Sequence, residues 1–195
     1  MSDAHEIMLV RHPETTANAE QRLCGTTVSA LTPRGERQAV ALGEAIAAWR
    51  PDILYTSPSD RTRAVATLAD PSGERTVVLD DAREIDFGQA EGLAYSELGR
   101  HGIELDFTGG GPVAPGGEEG WAFDARVART AEALLGNAPR TVLVSHGGVL
   151  RLLLSRLLTL PADMAWRIEL PNAAIAVVRI SDGYVMLSEL RRPSE

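Results

Sequence analysis

The fold of this chain is decided near its beginning, by the stretch Ile7-Met8-Leu9-Val10-Arg11-His12-Pro13. Its short apolar run, Ile7–Val10, is rich in branched residues and predicts a strand that is buried on both faces. The run ends at two polar side chains, Arg11 and His12, and Pro13 favours extended geometry for the residue before it. In open α/β sheets, ligands bind just beyond the carboxyl ends of such strands.

Outward from this strand, helical and strand-like patterns alternate along the chain. Helices are predicted at 34–49, 60–69, 123–134 and 149–158, the first with Thr32-Pro33 as its N-cap and first turn. Further strands are predicted at Ile53–Ser57, Arg75–Leu79, Thr141–Ser145, Ala174–Ile180 and Tyr184–Leu190, the last two forming a hairpin. The glycine- and proline-rich residues 102–120 are predicted to be irregular. The pattern predicts one domain, 1–195, with a three-layer α/β/α sandwich around a mostly parallel mixed β-sheet.

Composition excludes several classes of function. The formal net charge of −8 disfavours a nucleic-acid binder or a protein of anionic membranes. All 19 basic residues are arginine, so neither a Schiff-base lysine nor a P-loop lysine is present. The single cysteine, Cys24, excludes an internal disulfide, and the start MSDAHE lacks the pattern of a secretory leader. We therefore expect a cytoplasmic protein, a monomer or a homodimer.

Two histidines, two arginines and one carboxylate follow four of the predicted strands. Arg11 and His12 end the first strand, Arg61 follows the second, Glu84 the third and His146 the fourth. Each could be a packing or surface residue if taken alone. Together they predict a site at one edge of the sheet, because several cationic groups at a buried edge need an anion. The other two histidines are expected to be exposed: His5 and His101.

A phosphate monoester suits this set of side chains. Two guanidinium groups can hold its non-bridging oxygens bidentately, while one neutral imidazole attacks phosphorus and the other stabilises the equatorial oxygens. The amides of Gly147 and Gly148, at the start of a predicted helix, add an anion site. Glu84 can protonate the leaving alcohol and then deprotonate the attacking water. With this much positive charge, no metal or other cofactor is required.

A series of motifs runs in the same order along nearly the whole chain. It opens with Leu9-Val10-Arg11-His12-Pro13-Glu14-Thr15 and Asn18. It continues with Cys24-Gly25-Thr26, Leu31-Thr32, Gly35, Gln38-Ala39, Ser57-Pro58, Arg61-Thr62-Arg63-Ala64, Glu84-Ile85-Asp86-Phe87-Gly88, Glu91-Gly92, Pro115-Gly116-Gly117-Glu118 and Val144-Ser145-His146-Gly147. This order resembles that of the histidine phosphatase superfamily, whose members have a phosphoglycerate mutase-like fold.

The resemblance implies roles for individual residues. His12 would be the phosphoryl acceptor, forming a phosphohistidine, and Glu84 the proton donor. The rest of the phosphate pocket would comprise Arg11, Arg61, His146, Asn18 and the backbone of Cys24-Gly25, to which the helix start adds Gly147. The family's usual glycine after the nucleophile is Pro13 here, which removes one N–H. Members that resemble α-ribazole phosphatases also carry proline at this position.

The activity predicted from this resemblance is that of a metal-independent phosphomonoesterase acting on a small phosphorylated metabolite. Phosphoglycerate mutases of the family carry a basic insertion after the catalytic glutamate, whereas only Arg100 is basic between Glu91 and Asp124. A cofactor-dependent phosphoglycerate mutase remains the alternative. A non-catalytic phosphate-binding module is the third hypothesis, although binding alone would not need Glu84. Specificity is expected to come from 92–124, where packing within the domain is the default role and lining of a pocket the alternative for the candidates Tyr95, Phe107, Trp121, Phe123, Arg100 and Glu118.

Other classes of enzyme fail on spacing. A cysteine phosphatase needs an arginine six positions after its nucleophile, and Cys24 is followed there by Ala30. Neither a Gly-x-Ser-x-Gly motif nor a Cys/His cluster with zinc spacing is present. Gly109-Gly110-Gly111 follows no clear strand and opens no predicted helix, so it is not a dinucleotide fingerprint.

Overall fold

The computed structural model describes residues 5–107, 111–136 and 138–192. Its strands are β1 (His5–Arg11), β2 (Ile53–Thr56), β3 (Thr76–Val78), β4 (Arg140–Ser145), β5 (Ile175–Ser181) and β6 (Tyr184–Arg191). They form one sheet in the order β3-β2-β4-β1-β5-β6. The pairs β1–β4, β2–β4 and β2–β3 are parallel, whereas β5 is antiparallel to both β1 and β6. The predicted mixed, mostly parallel sheet and its closing hairpin are confirmed.

The helices are α1 (Thr16–Ala19), α2 (Pro33–Trp49), α3 (Asp60–Ala69), α4 (Gly120–Leu134) and α5 (Gly147–Leu157). Short 3-10 turns lie at Asp80–Ala82, Gly88–Ala90, Leu98–His101 and Ala162–Arg167. The four predicted helices are confirmed, and the Thr32 hydroxyl accepts from the Gly35 N–H at 3.0 Å, as expected of an N-cap. Within the described residues, no helix has both the length and the apolar character that a membrane span requires.

Alternate residues of β1 enter two separate hydrophobic cores, one on each face of the sheet. Ile7 and Leu9 pack with apolar residues of α4 and α5, whereas Met8 and Val10 pack with those of α2 and α3. All four side chains are buried. A strand covered by helices on both faces has a continuous apolar sequence, which explains why β1 carries no alternation. The predicted three layers are confirmed.

Three further predictions can be compared with the structure: that His5 is exposed, that His101 is exposed, and that residues 102–120 are irregular. His101 is exposed at the end of a 3-10 turn, as predicted. The prediction for His5 is wrong, because β1 extends to it: His5 pairs with Ile180 of β5 and is half-buried. The described part of the predicted irregular segment 102–120 is irregular apart from a bridge between Asp106 and Val113 and from Gly120, at which α4 begins. Gly109 and Gly110 lie outside the described residues.

Candidate active site

His12 directly follows β1 and is almost completely buried, with 4% of its surface exposed. Its backbone N–H donates to the Ser145 carbonyl at 2.9 Å, which continues the β1–β4 pairing by one residue. Its Nδ1 lies 2.7 Å from the Pro13 carbonyl. Because a carbonyl only accepts, Nδ1 carries the proton and Nε2 carries the lone pair. Burial and the guanidinium groups of Arg11 and Arg61 hold the pKa of His12 well below its ordinary value, so the ring is neutral.

His146 lies beside it, at the junction of β4 and α5. The centroids of the two imidazole rings are 5.2 Å apart, and His146 is the N-cap residue of α5. Its Nδ1 accepts from Arg61 Nε at 3.3 Å, and its Nε2 lies 2.7 Å from the Ser57 hydroxyl. Burial, followed by the charge of Arg61, holds the pKa of His146 well below its ordinary value. Both imidazoles are therefore neutral at pH 7.

Arg61, in the first turn of α3, is buried, with 4% exposed. Its Nη2 donates to the carbonyls of Gly25 and Cys24 at 2.9 and 3.2 Å, and its Nη1 donates to the Thr27 carbonyl at 3.3 Å. With His146 and the Cys24 sulfur, every partner of this guanidinium is neutral. The positive charge is thus held in place without being compensated, which favours binding of an anion.

Glu84 is buried and faces the start of α5. One carboxylate oxygen accepts from the Gly148 N–H at 3.0 Å and the other from the Ile85 N–H at 3.1 Å. A Cβ on Gly148 would lie 2.5 Å from this carboxylate, and one on Gly147 would lie 3.3 Å from the Arg11 guanidinium carbon. Because neither Gly147 nor Gly148 has a Cβ, the Glu84 carboxylate and the Arg11 guanidinium can both lie close to the N-terminus of α5.

Two cavities meet at Glu84. The smaller, about 100 Å³, is lined by predicted site residues: Arg11, His12, Asn18, Cys24, Glu84 and Gly147. The larger, about 310 Å³, is lined by Gly25, Arg61 and Glu84, and by hydroxyl-bearing residues of the loops around 26–29 and 58–60. His146, another predicted site residue, is fully buried and lines neither of these two cavities. Glu84 thus contributes to the lining of both a small cavity and a wider cleft.

Two predicted phosphate contacts have protein partners. The Asn18 side-chain oxygen accepts from the Thr15 N–H at 3.1 Å and from Asn172 Nδ2 at 3.0 Å, which leaves the Asn18 amide N–H₂ to face the cavity. The Gly25 N–H donates to Glu91 at 3.0 Å. Gly25 therefore contributes its carbonyl, which holds Arg61, and its N–H is not directed at the cavity in this arrangement.

Glu91 is a positioning residue to which the sequence analysis assigned no role. Its carboxylate accepts from the N–H groups of Gly25, Thr26 and Phe87, each at 3.0 Å, and from the Thr27 hydroxyl at 2.7 Å. It joins the loop that holds Arg61 to the segment that follows the proton donor. The motif shows that Glu91 is part of the family pattern, but it does not show that the Glu91 carboxylate contacts Gly25, which lies 66 residues away in the sequence.

The candidates for specificity separate into three groups. Tyr95 lines the smaller cavity, together with Arg151 and Trp166, which the sequence analysis did not single out. Phe107 packs edge-on against Trp166 with the ring centroids 5.6 Å apart. The other four do not line either cavity: Phe123 is in the core, Glu118 pairs with Arg126, and Trp121 and Arg100 are exposed. Arg151 could have been found from its spacing, because it lies one helical turn after Gly147.

Within the described residues, no group of three or more His, Cys, Asp or Glu side chains is arranged to hold a metal ion. That the reaction proceeds without a metal stays a prediction.

Comparison with known proteins places the chain in a family. The family model described as histidine phosphatase superfamily (branch 1) matches residues 7–192. The chain belongs to the histidine phosphatase superfamily. It is 35% identical over 179 residues to a protein named "Probable phosphoglycerate mutase GpmB" from Salmonella paratyphi C, with 88% of this chain and 83% of that protein covered.

Solved structures of this superfamily's fold superpose over nearly the whole chain. The α-ribazole phosphatase of Shigella flexneri matches with a TM-score of 0.84 and 26% identity, covering 95% of each chain. The phosphoserine phosphatase of Entamoeba histolytica, in complex with phosphoserine, matches with a TM-score of 0.79 and 25% identity, covering 95% of this chain and 96% of that one. The predicted phosphoglycerate mutase-like fold is confirmed, and these relatives are phosphoric monoester hydrolases by name.

Proposed function

We propose that this histidine phosphatase hydrolyses phosphate monoesters of small metabolites, without a metal, through a phosphohistidine at His12. The observation that carries the proposal is the neutral His12 ring, which lines a small cavity and lies close to Arg61, a guanidinium whose hydrogen-bond partners carry no counter-charge. A phosphate dianion supplies that counter-charge. The neutral form of His12 is also the form that can act as a nucleophile, because Nε2 then carries a lone pair.

In the first step, the Nε2 lone pair of His12 forms a bond to phosphorus while the bond from phosphorus to the ester oxygen breaks. Glu84, in its acid form, gives its proton to that oxygen, and the alcohol leaves. In the second step, the Glu84 carboxylate takes a proton from water as the water oxygen attacks phosphorus. The N–P bond breaks, its electron pair returns to Nε2, and inorganic phosphate leaves.

The position of Glu84 supports this division of labour. It lines both the small cavity and the wider cleft, so a phosphoryl group in the first and an alcohol in the second would bring the bridging oxygen beside it. Arg11 and Arg61 stabilise the charge on the non-bridging oxygens. We also propose that the enzyme is cytoplasmic, that it is a monomer or a homodimer, and that it binds neither nucleic acid nor membranes.

Trapping the intermediate tests the proposal. A reaction with p-nitrophenyl phosphate in excess EDTA, quenched in base, should leave a base-stable and acid-labile phosphoryl group on His12. His12→Ala should remain folded by circular dichroism and lose turnover. An intermediate mapped to His146, or activity that disappears in EDTA and returns with Mg²⁺ or Zn²⁺, would overturn the mechanism.

A phosphoglycerate mutase is the second candidate, because of the 35% identity to the protein of that name. The short, glycine-rich segment between Glu91 and Asp124, in which only Arg100 is basic, favours the phosphatase instead. With 2,3-bisphosphoglycerate and 3-phosphoglycerate, we expect release of inorganic phosphate. Fast, bisphosphate-dependent formation of 2-phosphoglycerate without phosphate release would establish the mutase.

A further inference from the structure

Gln38 belongs to the motifs that the chain shares with the family, yet it has no part in the proposed mechanism. It lies in the first half of α2, and only 2% of its surface is exposed, although glutamine is a mostly exposed residue type. Its Oε1 accepts from the Glu14 N–H at 2.9 Å. A Cβ on Gly35 would overlap the Glu14 carbonyl oxygen, so α2 begins in direct contact with the backbone that follows His12. Helix α2 therefore places a buried amide against the loop that follows the nucleophile.

Asn172, in the loop before β5, holds the other side of the same backbone segment. Its Nδ2 donates to the carbonyls of His12 and Pro13, each at 3.3 Å. Because carbonyl oxygens only accept, these contacts identify the amide nitrogen, and not the amide oxygen, as the atom that faces the segment. The peptide unit that joins residues 13 and 14 is therefore held at its carbonyl by Asn172 and at its N–H by Gln38.

The orientation of this peptide unit decides which nitrogen of His12 carries the ring proton. Nδ1 lies 2.7 Å from the Pro13 carbonyl, so Nδ1 is protonated and Nε2 has the lone pair. If the peptide unit turned over, its N–H would face Nδ1. The ring proton would then move to Nε2, which would leave no lone pair for attack on phosphorus.

The two amide side chains oppose such a turn. In the turned-over state, the carbonyl of the peptide unit would face the Gln38 oxygen, and its N–H would face the Asn172 nitrogen. Acceptor would meet acceptor and donor would meet donor, which leaves buried polar groups without partners. Without these two side chains, either orientation would give His12 one hydrogen bond with the peptide unit.

We propose that Gln38 and Asn172 are positioning residues that keep the peptide unit between residues 13 and 14 in the orientation in which His12 is a nucleophile. The inference rests on the proposed phosphatase function and adds two residues that act through His12. Neither of them lines the smaller cavity or the larger cleft. Both are uncharged, so they fix the direction of the peptide unit without adding to the positive charge of the site.

NMR of the resting protein at neutral pH tests the proposal. The nitrogen chemical shifts of an imidazole show which nitrogen carries the proton, and the His12 signals are those that disappear in His12→Gln. In the wild type we expect a protonated Nδ1 and an unprotonated Nε2. In Gln38→Met combined with Asn172→Ala, we expect both tautomers of His12, with populations that differ by no more than about tenfold, the factor that corresponds to one neutral hydrogen bond. Gln38→Met alone should give an intermediate spectrum.

Kinetics provide the second measurement. We expect kcat for p-nitrophenyl phosphate to fall by the same factor as the fraction of His12 in the nucleophilic tautomer. In Gln38→Met, the inhibition constant of inorganic phosphate should change by less than about threefold, because no donor to phosphate is lost. Asn172 also donates to Asn18, a predicted phosphate contact, so this comparison is made on the Gln38 variant.

Two control variants separate orientation from packing. Gln38→Glu keeps an oxygen that accepts from the Glu14 N–H, so its His12 spectrum should match that of the wild type. Leu42 is fully buried one turn further along the same face of α2. Leu42→Val should lower the free energy of unfolding and leave the His12 tautomer and kcat unchanged.

The tautomer is measured without turnover, so the result does not depend on the proposed function. A double variant that keeps the wild-type tautomer would overturn the inference, and so would a wild-type His12 that is protonated at Nε2. A loss of kcat without a change of tautomer would assign the two amides a merely structural role and would overturn it as well. Hydrolysis of p-nitrophenyl phosphate by the wild type reports separately on the phosphatase activity.

Discussion

Two buried arginines, Arg126 and Arg61, have contrasting surroundings. Arg126 of α4 is 1% exposed, and its Nε and Nη2 donate to the two oxygens of Glu118 at 2.7 and 2.6 Å. Its Nη1 donates to the carbonyls of Asp81 and Arg83, and its guanidinium carbon lies 4.6 Å from the centroid of the Phe123 ring. Arg61, at 4% exposed, has comparable burial, but its partners are carbonyls, a thiol and an imidazole.

Burial alone therefore does not distinguish a structural arginine from one that binds a ligand. Arg126 is neutralised within the fold and holds in place the backbone that leads to Glu84. Arg61 is fully hydrogen-bonded as well, yet its charge is left for a ligand. A hydrogen-bond count would treat the two arginines as equivalent, whereas a count of opposite charges separates a stabilising residue from a binding one.

Loss of Arg126 should have the largest effect. Arg126→Met leaves the largely buried Glu118 carboxylate with the longer contact to Arg83, at 3.6 Å, in place of its 2.6 Å pair. We therefore expect a loss of about 3 kcal/mol in the free energy of unfolding, measured in urea. Arg126→Met combined with Glu118→Leu removes both charges and should recover most of that loss. If the double variant is as unstable as the single one, an internal ion pair is the wrong description of this region.

Loss of Arg61 should affect catalysis more than stability. Arg61→Gln removes a positive charge that stabilises the phosphoryl oxygens, so we expect kcat/KM for p-nitrophenyl phosphate to fall by roughly 10²- to 10³-fold. The urea midpoint should shift less than in Arg126→Met, because no carboxylate loses its partner. A loss of stability equal to that of Arg126→Met, with activity retained, would remove the contrast between the two arginines.

Inorganic phosphate should distinguish the two regions by ligand binding. At a concentration 100 times its Kd, phosphate should stabilise the wild type by about 2.7 kcal/mol. Arg126→Met should keep this gain, since its ion pair lies outside the cavity, and Arg61→Gln should lose most of it. Thermal unfolding with and without phosphate measures both. A gain of equal size in the two variants would argue against Arg61 as a phosphate ligand.

The pH dependence of stability below pH 6.5 should come chiefly from the two histidines near Arg61, with a smaller part from His5, whose pKa is also lowered by burial. The pKa values of His12 and His146 are depressed in the folded protein, so below pH 6.5 the unfolded chain takes up protons that the folded one does not. The contribution of these neutral histidines to the free energy of unfolding is therefore present above pH 6.5 and is lost as the pH falls. The loss is roughly 1 kcal/mol per histidine between pH 6.5 and 5.5. Urea unfolding across this range measures the loss, and His12→Gln should remove about half of it. An unchanged slope in that variant would contradict a neutral, buried His12.

The sequence predicted the site residues that follow the ends of strands. It did not predict contacts between residues that are distant along the chain. Arg11, His12, Arg61, Glu84 and His146 were found because the carboxyl ends of parallel strands meet at one edge. The distinction between Arg61 and Arg126 could not be seen, because it depends on which acceptors the folded chain brings to each guanidinium.

Short-range structure was also missed where no periodic pattern carries it. Helix α1 has four residues and lies between the first strand and the predicted helix at 34–49, where the sequence analysis placed no helix. It is held by a reciprocal capping box between Thr15 and Asn18, so its formation does not depend on an apolar face. The same cap positions Asn18 at the cavity, which ties a local motif to the site.

The carbonyl of Pro13 selects between the two isomers of phosphohistidine. Because it holds the Nδ1 proton of His12, only Nε2 can receive the phosphoryl group, and the base-quenched protein should contain the tele isomer rather than the pros isomer. Phosphorus NMR of the labelled peptide distinguishes the two. The selection is made by a carbonyl oxygen and not by an N–H, so proline in place of the family's usual glycine leaves the regiochemistry of the transfer unchanged.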